Sequence, residues 1–191
     1  MTEWAYRLAE SLLADSLPKR WAHCLGVAER ARLLAPILGS DAELLECAAV
    51  LHDIGYSPEV ARTGFHSLDG ARYLRDETDT DKRIVALVAH HSIAWREADA
   101  RGVLSELEAE FPADPELHLL ADALCFSDMN TTPDGLPTNP VNRVQEIADR
   151  YGPESLIGRF IRQAEPEILA ASARILVGLS DNLASATAQP M

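Results

Sequence analysis

The sequence predicts an all-α protein: a single helical bundle with a C-terminal helical extension. Apolar residues recur with a period of about 3.6 along almost the whole chain, and no segment alternates with period 2. Pro18, Pro115 and Pro140 stand where helices begin. Turn-forming residues gather in short intervals between the periodic segments.

The elements follow in order. "EWAYRLAESLLADSL" reads as a first amphipathic helix, and Pro18 opens a second, "PKRWAHCLGVAERARLLAPIL". "SDAELLECAAVLHDIG" begins with Ser40 and Glu43 at capping-box spacing, and Gly55 is placed to end it as a C′ glycine. After the turn "SPEVAR" come "HSLDGARYLRD" and a helix over roughly 79–92, "DTDKRIVALVAHHS". Asp114 and Pro115 start "DPELHLLADALCFSDMN" as N-cap and first helical residue. The loop "TTPDGLPTNP" separates it from "NPVNRVQEIADRYG", and a final helix or pair covers about 153–184. The last residues, "SATAQPM", are expected to fray.

Length and composition fit one domain over residues 1–191, large enough to bury a core without disulfides or metal staples. The three cysteines, Cys24, Cys47 and Cys125, are scattered in apolar segments without a CxxC pair. They read as reduced core thiols of a cytoplasmic protein. No signal peptide and no membrane span is expected: the first residues are acidic and interrupted by charges, and no apolar run is long enough. The net charge of −13 repels nucleic-acid backbones and anionic lipid, so neither is expected as a partner. A small anionic substrate stays open if cations invert the potential within one pocket.

The chemistry lies in the histidines: His23, His52, His66, His90, His91 and His118. A lone histidine on a helix is usually core or surface, so the argument rests on their joint pattern. His52 and Asp53 end the apolar run "LLECAAVL". Side chains of helical neighbours diverge by about 100°, yet both can reach one ion lying off the helix end. Burying an ionised Asp53 without a partner would be costly.

His23 within "HCLGVAERA", His52–Asp53 within "AAVLHDIGYSP" and the distant Asp128 within "LADALCFSDMN" resemble the H…HD…D signature of the HD-domain metal-dependent phosphohydrolases. The resemblance covers about residues 15–135, leaving C-terminal helices over about 139–185. "HSLDGARYL" and "VALVAHH" resemble the additional histidine motifs of the dinuclear branch. That branch includes diadenosine-polyphosphate hydrolases of the YqeK type, HD-GYP phosphodiesterases and mixed-valent di-iron oxygenases. The resemblance implies that His23, His52 and Asp128 hold one ion, that His66 and His90 hold a second, and that Asp53 bridges. His91, around the helix from His90, is the alternative for that place, with His90 preferred on its match to the family position, and His118 is read as structural or exposed. One or two divalent transition-metal ions (Fe, Mn, Co or Zn) suit a nitrogen-rich set better than Mg or Ca.

The implied function is a phosphohydrolase in which metal-activated water attacks a small soluble phosphate ester, a nucleotide or phosphodiester, with His52 and Asp53 at the catalytic centre. The absence of P-loop, GxGxxG and GxSxG motifs agrees with it. Arg62, Arg72 and Arg96 are candidate phosphate clamps, and Asn130, Thr131 and Thr132 candidate hydrogen-bond donors; a solvated helix face or a simple turn is the plain alternative for each. Tyr56 lines a mouth or packs as an aromatic body, and "TTPDGLPTNP" forms a rim or a connector. Two other functions stay open. One is a di-iron oxygenase, disfavoured by "FSDMN" where that branch carries a Trp before the last Asp. The other is a non-catalytic nucleotide-binding module. The sequence leaves oligomeric state open.

Overall fold

A computed structural model describes residues 2–187. Among them the secondary structure is helical, with one isolated bridge between Thr131 and Pro137. Helix α1 spans Glu3–Leu13, α2 Pro18–Arg32, α3 Ala35–Leu38, α4 Ala42–Leu51, α5 His66–Glu77 and α6 Lys82–His90. Then come α7 Ala94–Arg101, α8 Leu104–Glu110, α9 His118–Met129, α10 Pro140–Tyr151 and α11 Leu156–Thr187. None is long and apolar enough to cross a membrane.

Helix α4 is the central element. Leu44, Leu45 and the run Cys47–Leu51 are buried, and it packs on α1, α2, α6 and α9. Ala48 and Ala49 let neighbouring helices approach closely, while Leu45 and Leu51 bury full side chains, each contributing roughly 1.5–3 kcal/mol. Because α4 is surrounded, its C-terminal end opens into the interior, and His52 and Asp53 are carried there with it.

A second apolar cluster joins α9, α10 and α11 through Cys125, Met129, Val144, Phe160, Ile161 and Ile168. The C-terminal helices therefore pack against the helix that ends at Asp128. All three cysteines are buried and free.

Some local expectations hold. Pro18 opens α2, Asp114 caps a single-turn helix at Pro115–Leu117 ahead of α9, and the Asn139 side chain accepts from the Asn142 N–H. Others need correction. Ser40 lies in a tight turn at Gly39–Asp41, and α4 starts after Asp41 with no side-chain cap, so the expected capping box does not form. Gly55 is not a left-handed C′ residue; α4 ends at Leu51 and a tight turn at Ile54–Tyr56 follows. The C-terminal segment is one helix that contains Pro166 and continues through Thr187, so Ser185–Thr187 do not fray. The rest of "SATAQPM", residues 188–191, lies outside the described residues.

Candidate metal centre

Four helices and one junction deliver side chains to a single point. Arg20 and His23 lie one turn apart on α2 and so share a face. His52 and Asp53 follow α4, His66 opens α5, and Asp128 lies in the last turn of α9. His91 and Ser92 occupy the junction between α6 and α7, where Ser92 (φ 50°) and Ile93 (φ 62°) adopt left-handed backbone. A β-branched residue is strained in that conformation, and the strain turns His91 and Ser92 inward.

Asp53 is the centre, only 3% exposed. Its Oδ2 lies 3.3 Å from His52 Nε2 and 3.9 Å from His23 Nε2, while its Oδ1 lies 3.4 Å from His66 Nε2 and 3.8 Å from His91 Nε2. Asp128 Oδ1 lies 3.0 Å from His23 Nε2, and the Ser92 hydroxyl donates to Asp128 Oδ2. One carboxylate thus faces two pairs of imidazoles, one with each oxygen.

Three imidazoles are fixed from behind by backbone carbonyls. His23 Nδ1 meets Thr132 O at 2.9 Å, His52 Nδ1 meets Ala49 O at 2.7 Å and His91 Nδ1 meets Val88 O at 2.7 Å. A carbonyl only accepts, so each Nδ1 carries a proton, and each Nε2 faces the centre, where losing any proton of its own would leave the lone pair a metal ligand needs.

The titration environment agrees for the carboxylates and for His66 and His91 but not for His52, where burial disfavours the charged ring and Asp53 more than offsets this and pushes it up. Burial pushes the Asp53 carboxyl up, but Arg20, with one guanidinium nitrogen 2.6 Å from Oδ2, and His52 more than offset this and hold it well below the carboxylate range. Burial likewise opposes ionisation of Asp128, and His23 overcomes it. Burial, together with neighbouring imidazoles, pushes His66 and His91 down, against the pull of Asp53. Ionised carboxylates and neutral imidazoles are the ligating forms.

The donors fit metal ions. His23, His52 and Asp53 present ligand atoms within 4.8 Å of one another, as do Asp53, His66 and His91. His52 Nε2 is buried without a hydrogen-bond partner, and a bound ion would satisfy it.

The expected ligands His23, His52, Asp53, His66 and Asp128 come together, but His90 does not. Its Nε2 lies 2.6 Å from Phe111 O, whereas His91 takes the place beside Asp53, with Nε2 3.1 Å from His66 Nε2. The chain leaves α6 at His90, and the left-handed residues that follow turn its neighbour inward. His118 is exposed on Pro115 O.

The proposed substrate contacts also need correction. Arg62 donates to the carbonyls of Ala61 and Glu59, Arg72 pairs with Glu106 and Glu110, and Arg96 pairs with Glu167. Asn130 and Thr131 donate to the carbonyls of Phe126 and Ser127, one turn back. None of the five lines the cleft over the His/Asp cluster. That cleft holds Arg20, Arg143 and Arg150 instead. Arg20 follows the helix-start signal Pro18 one turn before His23, so the 3-residue spacing to His23 was a usable signal; Arg143 and Arg150 come from beyond the motif region and carried none.

Tyr56 lies in the cleft wall. It stacks on His66 with ring centroids 4.1 Å apart, and the Arg20 guanidinium covers it at 4.1 Å. The loop "TTPDGLPTNP" is a supporting element: a Cβ on Gly26 would stand 2.3 Å from Gly135 O, so loop and α2 meet backbone to backbone, with Thr132 O delivered to His23.

The family model of the HD domain matches residues 20–154. Among curated proteins, a Ribonuclease Y from Rhodopirellula baltica is 29% identical over 169 residues, 86% of this chain and 28% of the relative. Ribonuclease Y from Rubrobacter xylanophilus is 34% identical and that from Thermoanaerobacter pseudethanolicus 37%, each over 70 residues, 37% of this chain and 14% of the relative. The chain spans well under a third of the length of these relatives. No solved structure matches it significantly.

Proposed function

This chain belongs to the HD-domain family, and from that premise we propose that it is a metal-dependent phosphohydrolase of the dinuclear type, acting on a small soluble phosphate ester. One observation carries the reading: the two oxygens of Asp53 face different imidazole pairs, His52 with His23 and His66 with His91. A carboxylate so placed suits a bridge between two ions, and the nitrogen-rich set favours Fe, Mn, Co or Zn. Ions held there would supply Lewis acidity and an activated water.

The chain's own residues do the rest. Asp128 and His23 complete the His52 side, and Ser92 orients Asp128. Arg20, already beside Asp53, offers guanidinium donors to a phosphoryl oxygen and keeps Asp53 ionised. Tyr56 holds Arg20 and His66 in one stack and so fixes the distance between cation and ligand. Burial of the cluster strengthens each of these interactions.

The relatives are named as ribonucleases, and their phosphodiester chemistry is compatible with this centre. A short oligoribonucleotide therefore belongs beside nucleotides and simple phosphodiesters in the substrate panel. The experiment is an anaerobic panel with the metal-loaded protein, scoring phosphate or nucleotide release, run in parallel with an oxygen electrode. Release without oxygen supports the hydrolase. Oxygen uptake with no anaerobic release would replace it with a di-iron oxygenase, and inertness in both assays with intact ligand binding would favour a binding module.

A further inference from the structure

We propose that α10 and the start of α11 form a recognition subsite for the organic half of a phosphate ester, an apolar or aromatic group, with Arg143 as the clamp on its phosphate. The inference rests on the phosphohydrolase reading of the same cleft and adds the class of ester it selects.

Arg143 is 4% exposed, an unusual position for a guanidinium. One terminal nitrogen pairs with Glu146, but Nε is buried with no partner. A buried N–H left unpaired is costly, and a phosphate oxygen in the cleft would pair it. Arg143 also lies close enough to Asp128 to favour its ionised form, which sets its charge near the His/Asp cluster.

The wall around it is largely apolar, with Arg150 as a second cation on α10. Arg143, Ile147 and Tyr151 follow at intervals of four along α10, which puts them on one face, and all three line the cleft. Ile157, Phe160 and Ile161 of α11 line it beside them. The corner between the helices is tight: a Cβ on Gly158 would stand 2.1 Å from Gly152 O, and Gly152 has φ 86°. The wall is therefore built in advance of any ligand. A cation set among apolar side chains, next to a His/Asp cluster, suits a ligand anionic at one end and apolar at the other.

The test is isothermal calorimetry on the metal-loaded protein with two non-hydrolysable probes, phenylphosphonate and methylphosphonate. Wild type should bind the phenyl compound at least about tenfold more tightly, from burial of the ring. Arg143→Gln should weaken both probes about tenfold or more while keeping their ratio. Ile157→Ser should shrink the ratio and leave methylphosphonate binding nearly unchanged. Equal affinities in wild type overturn the proposal without any variant, as does unchanged binding by a folded Arg143→Gln. If phenylphosphonate is preferred through Arg143 but no ester is hydrolysed, the subsite stands and the hydrolase reading falls. Hydrolysis without any preference does the reverse.

Discussion

Gly55 meets the backbone of His66 with no room for a side chain: a Cβ on Gly55 would stand 1.9 Å from the His66 carbonyl oxygen. The turn after His52–Asp53 and the start of α5 are thus pressed together, and His66 reaches Asp53 because of it. Gly55→Ala should displace His66 from Asp53. The expected result is a loss of about 1–3 kcal/mol in urea unfolding, with a drop in bound metal even where the variant folds. Unchanged metal content in a folded Gly55→Ala protein would show that His66 does not depend on this contact.

The two adjacent histidines have different surroundings. His91→Ala should lower metal content, because Nε2 faces Asp53 and His66. His90→Ala should keep the metal and lose only its hydrogen bond to Phe111 O, costing about 1 kcal/mol. Elemental analysis of the two variants side by side checks this, and the opposite pattern would restore His90 as the ligand.

The Ser92 hydroxyl donates to Asp128. Ser92→Ala should leave the helical circular dichroism spectrum unchanged and weaken metal affinity by roughly 10–100-fold, the usual effect of removing a partner that orients a ligand. Competition with a chromophoric chelator measures it.

Away from the centre, the Arg72 guanidinium, supported by Arg75, pushes the Glu110 carboxyl down to about 2. A carboxylate depressed in the folded state stabilises it above the unfolded value of about 4.3, and that contribution disappears as pH falls toward 2. Its size is small because these groups are solvent-screened. The urea midpoint of wild type minus that of Glu110→Gln should therefore be positive at pH 6 and shrink between pH 4.5 and 2. A difference that stays constant over this range would remove the ion pair as its cause.

The helical class was legible because the apolar period is carried by residues that do bury, such as Leu45, Ala49 and Leu74. His52–Asp53 was legible as a centre because an apolar helix cannot end in a buried carboxylate without partners. His91 was not: choosing between neighbouring histidines requires the left-handed backbone at Ser92 and Ile93, and neither residue type announces it. The candidate phosphate contacts failed for a related reason. Arg62, Arg72 and Arg96 are near the motifs in sequence, but local carbonyls and acidic side chains engage them first. Arg143 is remote from the motifs and enters the cleft only because the second apolar cluster docks α10 and α11 onto α9. Gly26 carries no signal within its helical segment and Gly55 reads as a C′ glycine, but the value of both lies in backbone approaches between distant segments.

The central claim, proposed above, is that the imidazole pairs on the two sides of Asp53 would hold two ions. Metal content per chain after anaerobic purification tests it most directly, with wild type and His66→Ala measured together. About two ions in wild type falling to about one in His66→Ala is the predicted result. A single ion in wild type, retained in full by His66→Ala, would contradict it and leave His66 and His91 as packing or substrate contacts around a mononuclear site.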